Sequence, residues 1–159
     1  METKNPPTHL SLVPKAPCRP CRARFLCLVV DDARDDAELA ELLESDDLEV
    51  VTASDASEAL RILYERRVDL VVAEEYLPGA NGSHLLETVR SRWPKIGRVL
   101  VGRELGTDVV LRAVNRARVQ RVLHRKMSAQ SLRSEIEAAL NEALFERQDG
   151  ATPGVGSTR

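Results

Sequence analysis

Aromatic residues are scarce in this chain of 159 residues, which has two Phe, two Tyr and one Trp, or 3% of the total. Its core must therefore be built from Leu, Val, Ile and Ala. So few rings leave little to stack on bases, and we expect no nucleic-acid partner. No apolar run approaches the roughly 18 residues of a membrane-spanning helix. The first 24 residues lack the apolar block of a signal peptide, so we expect a cytoplasmic protein without a membrane partner.

Cysteine is also rare, with three residues in the chain. Cys18 and Cys21 have the spacing of half a zinc site or of a redox pair. There is no second pair, and Cys27 falls in a predicted buried strand. We therefore interpret all three as incidental reduced thiols. A labile metal or redox role for Cys18 and Cys21 is the alternative.

Patterns of buried strands and amphipathic helices alternate five times along the chain. Residues 1–24 and 149–159 lack such a pattern and are predicted to be a disordered arm and a disordered tail around one domain, residues 25–148. Strands are predicted at residues 25–30, 48–53, 68–73, 98–101 and 121–124, and each is followed by a helix. Short connections between such elements favour a parallel sheet with helices on both faces. We predict an α/β protein of the flavodoxin-like (βα)5 type, doubly wound, with strand order 2-1-3-4-5.

Carboxylates follow the first and third strands of this predicted sheet. Asp31 and Asp32 end the first strand, and Glu74 ends the third. An Asp after a strand is also a common helix N-cap, so each signal alone is weak. The strand order reverses between these two strands, however, and ligands bind at such a point. Three negative charges in one crevice require a cation or a raised pKa. Mg²⁺ bound by Asp31 and Asp32 would serve, and so would a basic side chain after the fifth strand.

Several motifs occur together in one order. They are Leu28-Val29-Val30-Asp31-Asp32, Asp69-Leu70-Val71-Val72, Leu77-Pro78-Gly79-x-x-Gly82, the stretch from Arg98 to Arg125, and the fifth strand and helix. Over roughly residues 25–146 the chain resembles the receiver domain of bacterial two-component response regulators (CheY-like). The resemblance implies a role in phosphorelay signal transduction.

The resemblance also assigns positions in the crevice, and several of them depart from the receiver pattern. In receivers an acidic pair holds Mg²⁺, and an Asp after the third strand accepts a phosphoryl group. A Ser or Thr and a Lys contact that group, and an aromatic residue follows the hydroxyl as it moves. Here the acidic pair is present as Asp31 and Asp32. The acceptor position holds Glu74, the hydroxyl position Gly102, the aromatic position Val122 and the lysine position Arg125, with Lys126 in place of the usual Pro.

These departures have physical consequences. The carboxylate of Glu74 stands roughly 1.5 Å further from the backbone than that of an Asp, and displacements of about 1 Å damage positioned chemistry. Arg125 offers a planar fork that suits a permanent carboxylate partner. We hypothesise that Arg125 or Lys126 pairs with Glu74 or the Asp pair, and replaces metal and phosphate. Glu74 supplies one negative charge, whereas a phosphoryl group carries about −1.5 to −2, so its mimicry of phosphorylation is incomplete.

The sequence thus favours a stand-alone, degenerate receiver (a pseudo-receiver) that acts as an adaptor by protein–protein interaction and is not an enzyme. It requires no cofactor, although Mg²⁺ at Asp31 and Asp32 stays open. One alternative is a conventional receiver phosphorylated on Glu74. The other is a metal-dependent phosphoryl-transfer enzyme, for which we find no acid–base group or substrate pocket.

Charge is distributed unevenly, and this suggests where a partner binds. Residues 25–75 carry sixteen acidic and four basic side chains, a net charge of −12, whereas residues 96–127 carry eight basic and two acidic ones, a net charge of +6. In the fourth helix we expect Val110, Leu111 and Val114 to face inward. The face of the fourth helix, fifth strand and fifth helix then presents Arg112, Arg116, Arg118 and Arg121. This face would suit an acidic protein or a second copy of the chain. The alternative is that the acidic and basic segments form two ordinary solvated faces that bind no partner.

Overall fold

The computed structural model describes residues 25–32 and 36–149. The predicted disordered arm, with Cys18 and Cys21, lies outside these residues. So does the predicted tail, except for Asp149, which is the last residue of a helix. Within the described part, no helix is long and apolar enough to cross a membrane.

A five-stranded parallel sheet forms the centre of the molecule, with strand order β2-β1-β3-β6-β7. A short antiparallel hairpin, β4 and β5, is inserted after β3. When the hairpin is left out of the count, the order is 2-1-3-4-5, so the predicted α/β fold is confirmed. The elements are β1 Phe25–Val30, α1 Asp36–Leu43, β2 Leu48–Ala53, α2 Ala56–Glu65, β3 Leu70–Glu74, β4 Tyr76–Leu77, β5 Ala80–Asn81, α3 Gly82–Arg92, β6 Gly97–Gly102, α4 Thr107–Arg112, a π-helical turn Ala113–Ala117, β7 Arg121–His124 and α5 Ala129–Asp149.

Two apolar layers enclose the sheet. Alternate residues of β1 face opposite sides, with Leu26 and Leu28 on the side of α2, α3 and the π-helical turn, and Cys27 and Val29 on the side of α1 and α5. Because both faces are covered, the central strands are continuous apolar runs rather than alternating patterns. The sheet is therefore fixed from both sides, and the carboxyl ends of its strands have defined positions.

A reciprocal cap begins α2. The Asp55 side chain accepts a hydrogen bond of 2.8 Å from the backbone N–H of Glu58, and Glu58 accepts one of 2.9 Å from the backbone N–H of Ser54. These bonds satisfy amide groups that the helix leaves unpaired. The hydrogen bonds from Ser54 also lower the pKa of Glu58.

The fourth helix differs from its prediction. Val110 is only partly buried, while Leu111 and Val114 are 55% and 49% exposed, so the predicted inward face is wrong. The buried positions are Val109, Ala113 and Ala117. Small residues at Ala113 and Ala117 face the core, and the helix widens into a π-helical turn that ends at Arg118, whose φ of 46° is left-handed. The largest apolar side chains of this helix indicate the wrong buried face, because two of them, Leu111 and Val114, lie at the surface.

Candidate functional site

The carboxyl ends of β1, β3, β6 and β7 meet at one edge of the sheet. Val30 pairs with Ala73 and Gly102 with His124. The backbone N–H of Arg125 donates to the carbonyl of Gly102 at 2.9 Å, which continues the β7 pairing by one residue. This register brings Asp31, Glu74 and Arg125 to the same crevice, as the sequence predicts.

Arg125 is the cation of this crevice. Its Nη2 donates a hydrogen bond to Oδ2 of Asp31, and its Nε lies 3.5 Å from Oε2 of Glu74. The side chains of Asp31, Glu74 and Arg125 are 5%, 11% and 13% exposed, so the ion pairs are shielded from water. The predicted pairing of a basic residue with the carboxylates is confirmed for Arg125. Lys126, the alternative, is exposed.

The carboxylates are not arranged as a metal site. Among the residues that the structure describes, no group of three or more His, Cys, Asp or Glu side chains is placed to hold a metal ion. Asp31 turns toward the guanidinium, whereas Asp32 is exposed. Mg²⁺ prefers several oxygen ligands in near-octahedral geometry. Because Arg125 is bound to Asp31 in this arrangement, binding of Mg²⁺ by Asp31 and Asp32 would require Arg125 to move.

Leu105 fills the space beside the hydroxyl position. A Cβ atom on Gly102 would lie 2.9 Å from Cγ of Leu105 and still closer to its Cδ2. A Ser or Thr at position 102 would therefore require Leu105 to shift. Val122, at the aromatic position, is half-buried against the core and carries no ring. Positions 102 and 122 thus carry neither a hydroxyl nor an aromatic ring, and Leu105 occupies the space beside position 102.

Glu75, next to Glu74, has a structural role that the sequence analysis missed. Its side chain is fully buried and accepts hydrogen bonds from the backbone N–H of Ser83 at 2.9 Å and from its Oγ at 3.0 Å. Asn81, the N-cap residue of α3, makes no capping hydrogen bond with its side chain. Glu75 therefore caps α3 from the end of β3, where a carboxylate is favoured by the helix dipole. The sequence gives little sign of this role, because the unbonded side chain of Asn81 is visible only in the structure and the contact spans eight residues.

Arg98 is a second missed residue, and it is a buried guanidinium. It donates to the carbonyls of Ala117 at 2.8 Å and of Arg118 at 3.1 Å, at the end of the π-helical turn. Burial, and next the nearby charge of Arg90, lower the pKa of Arg98. Arg98 thus holds the connection between α4 and β7 in one conformation. Its position inside an apolar strand was the available signal.

The four arginines of the predicted partner surface occupy different environments. Arg116 and Arg118 are exposed, and Arg112 is partly exposed. Arg121 is bound to α5 through Glu135 at 3.0 Å and Glu142 at 2.9 Å, and hydrogen bonds to Glu142 and then Glu135 raise its pKa. The face of α4, β7 and α5 therefore carries charges of both signs.

Comparison with known proteins agrees with this architecture. Residues 27–137 match the family described as the response regulator receiver domain. The chain belongs to this receiver family.

Three relatives illustrate the likeness. The hydrogenase transcriptional regulatory protein HoxA of Cupriavidus necator is 30% identical over 90 residues, which are 57% of this chain and 19% of HoxA. The signal receiver domain of an HD domain-containing protein from Pseudomonas fluorescens Pf-5 is 28% identical with a TM-score of 0.74, covering 80% of this chain and 95% of that one. A CheY-like receiver domain protein from Methanospirillum hungatei JF-1, 23% identical with a TM-score of 0.71 over 77% of this chain and 98% of that one, shares the fold.

Proposed function

We propose that this receiver domain is an atypical one that is not phosphorylated, and that it acts as an adaptor through protein–protein contacts without catalysis of its own. The observation that carries the proposal is the position of Arg125, whose guanidinium lies between Asp31 and Glu74. The crevice thus has a cation from within the chain, which pairs with both carboxylates in the place where a receiver would use a metal ion.

The chemistry of phosphoryl transfer supports this proposal. Catalysis of that reaction is mostly positioning and electrostatic stabilisation of the transferred group. At this edge the acceptor position holds a longer carboxylate, Glu74, that is already ion-paired. Gly102 supplies no hydroxyl donor, and Leu105 stands where one would project. The hydroxyl that would position a phosphoryl group is therefore missing, and the carboxylate at the acceptor position is already paired with Arg125.

Incubation with acetyl phosphate and Mg²⁺, followed by intact-mass measurement, tests the proposal. We expect the mass of the protein to stay unchanged. A Glu74→Gln variant is the matched control, since it removes the carboxylate with little change in size. A gain of one phosphoryl group in the natural protein that Glu74→Gln abolishes would contradict the proposal and favour a conventional receiver with Glu74 as acceptor.

The partner surface we propose is the face of α4, β7 and α5, and an acidic protein in the cytoplasm is its partner. Arg112 and Arg116 are the best probes there, because Arg121 is held by Glu135 and Glu142. A pull-down with Arg112→Glu/Arg116→Glu should lose the partner. The control is Arg61→Glu on α2, which has the same substitution at an exposed site away from this face. Equal capture by both variants would exclude this surface.

A second copy of the chain would be a different occupant of the same face. Sedimentation of the natural protein and of Arg112→Glu/Arg116→Glu distinguishes the two cases. A dimer that the double substitution dissociates would show self-association, whereas a monomer that still captures an acidic partner would support the adaptor role.

A further inference from the structure

A cleft of about 640 Å³ lies at the amino-terminal end of the sheet, far along the strands from the carboxylate crevice. Its walls are the end of α2 at residues 63–67, the connection from α3 to β6 at residues 93–96, and Arg147 of α5. Small-molecule sites in proteins have volumes of about 300–1,000 Å³ and mostly apolar walls with a few polar groups. This cleft lies within that range of volumes, and it combines apolar side chains such as Leu63, Val68 and Ile96 with a larger share of charged ones.

Two of the five aromatic residues of the chain meet in this cleft. The rings of Tyr64 and Trp93 are 5.0 Å apart and nearly perpendicular, at 73°. The guanidinium of Arg92 lies 5.9 Å from the centre of the Tyr64 ring. Trp93 packs against the core, which holds its ring in place, while Tyr64 is 63% exposed. A chain with so few rings therefore presents two of them beside one opening.

Basic side chains surround the aromatic wall. Arg66 is bound to Glu49 at 2.8 Å, and Arg147 is bound to Asp69 and to the carbonyl of Lys95 at 2.7 Å. Arg67 and Lys95 are exposed, and no carboxylate within the described ranges pairs with either side chain. The paired arginines form a fixed floor, and the two remaining cations face solvent at the mouth. Glu65 also lines the cleft, but it is bound to Arg61 at 3.3 Å, so Arg67 and Lys95 leave a net positive charge at the mouth that would attract an anion.

We propose that this cleft binds a small planar anion, an aromatic ring that carries a phosphate or carboxylate group. The ring packs on Trp93 and Tyr64, since aromatic pairs prefer offset or edge-to-face contacts. The anionic group lies against Arg67 and Lys95, which form charge-assisted hydrogen bonds to it. A single pair of rings accommodates one base or ring, so the ligand is a monomer and not a nucleic-acid strand. The proposal is independent of the adaptor role, because it concerns the opposite end of the sheet.

Trp93 is the only tryptophan of the chain, so its fluorescence reports on this cleft alone. Two aromatic anions are the probes: adenosine monophosphate carries a phosphate group and 4-hydroxybenzoate carries a carboxylate group. Adenosine is the control without a charge, and inorganic phosphate is the control without a ring. We expect at least one aromatic anion to change the Trp93 signal saturably. Adenosine should bind about tenfold more weakly than its monophosphate, or not at all, and phosphate alone should leave the signal unchanged.

Substitutions locate the site. Arg67→Ala/Lys95→Ala should lower the affinity for the bound anion about tenfold. Lys126→Ala/Arg133→Ala, which also removes one lysine and one arginine but outside the cleft, should leave it unchanged. Trp93→Ala removes the optical signal, so its binding and that of Tyr64→Ala are measured by calorimetry, where both should be weaker. Far-ultraviolet circular dichroism checks that each variant is folded.

Three results would overturn the proposal. The first is the lack of any saturable signal with both aromatic anions at millimolar concentration. The second is equal affinity for adenosine and its monophosphate, with no binding of 4-hydroxybenzoate. The third is an affinity that Arg67→Ala/Lys95→Ala leaves unchanged. Binding of only one of the two anions supports the site and identifies its anionic group.

Discussion

Arg125 and Asp31 form an ion pair that joins the end of β7 to the end of β1, across the edge of the sheet. The two residues are 94 positions apart in the chain, and their side chains are 13% and 5% exposed. The pair crosses the ends of β3 and β6, and the last residue of β3, Glu74, is the second carboxylate near the same guanidinium. One side chain thereby holds the ends of three strands together, at the edge where receivers carry out their chemistry.

Removal of this guanidinium should destabilise the fold. Arg125→Met keeps much of the stem but leaves Asp31 and Glu74 without their cation, and we expect a loss of about 3 kcal/mol in the free energy of unfolding. Urea unfolding gives this value. Arg121→Met is the matched control, since its ion pairs with Glu135 and Glu142 are more exposed and should contribute about 1 kcal/mol or less. Equal losses in the two variants would show that the crevice pair has no special role.

Magnesium should distinguish the natural protein from Arg125→Ala. In the natural protein Asp31 is bound to Arg125, so we expect millimolar Mg²⁺ to leave the Tm unchanged. In Arg125→Ala the carboxylates of Asp31, Asp32 and Glu74 lose that cation, and a divalent ion that binds the folded state alone raises the Tm. Differential scanning calorimetry with Mg²⁺ and with an equal ionic strength of NaCl measures this. A rise in the natural protein as large as in the variant would contradict the replacement of metal by arginine.

The sequence predicts the sheet well because its signals are local. The predicted bounds of β1, β2 and β7 agree with the structure, since short apolar runs mark these strands. The bounds of β3 are shifted, because pairing begins at Leu70 rather than Val68 and includes Glu74. Strand ends depend on their neighbours as well as on their own residues, so composition locates them less accurately.

The site was only partly predictable, for the same reason. The order of the strands could be predicted from the sequence. It was therefore also predictable that Asp31, Glu74 and Arg125, which lie at strand ends, would be close together. The roles of Glu75 and Arg98 depend on contacts eight or more residues away, with Ser83 and with the carbonyls of the π-helical turn. A charged residue inside an apolar strand, such as Arg98, indicates burial, but no local pattern shows which group will satisfy it.

Rebuilding the receiver chemistry should require several changes together. We expect Glu74→Asp alone to stay unphosphorylated by acetyl phosphate, because the hydroxyl donor is still missing and Leu105 still fills its place. Glu74→Asp, Gly102→Ser, Leu105→Ala and Arg125→Lys combined should accept one phosphoryl group. Intact mass measures both variants. The control is the combined variant with Glu74→Asn in place of Glu74→Asp. Phosphorylation of Glu74→Asp alone would show that the other departures are neutral.

The cap of α3 should contribute to stability. Ser83→Ala removes one hydrogen bond to the buried Glu75 carboxylate, and we expect a loss of about 2 kcal/mol in the free energy of unfolding, because Glu75 Oε1 would remain buried without this donor. Ser57→Ala, the same change at an exposed position near the start of α2, should stay within about 0.5 kcal/mol of the natural protein. Urea unfolding compares the two. A Ser83→Ala variant as stable as Ser57→Ala would mean that the bond from Oγ is dispensable.

The buried thiol of Cys27 should make stability decrease in alkaline solution. Burial, and to a smaller extent the negative charge of Asp69, raise the pKa of Cys27 from 9.0 to about 12. Between these values the unfolded chain has lost the thiol proton and the folded chain has kept it, so the free energy of unfolding falls as the pH rises. This contribution is fully present below about pH 9 and is lost above it, by about 1.4 kcal/mol per pH unit.

Substitution of the thiol isolates this effect from the other groups that titrate in the same range. Cys27→Ala should be less stable near neutral pH, because it leaves a small cavity in the core. Its free energy of unfolding should nevertheless fall less steeply than that of the natural protein from about pH 9 to about pH 11. Cys18→Ser/Cys21→Ser is the control and should keep the natural slope. If Cys27→Ala showed the same slope as the natural protein, the thiol would titrate alike in the folded and unfolded states, and burial would not hold its proton.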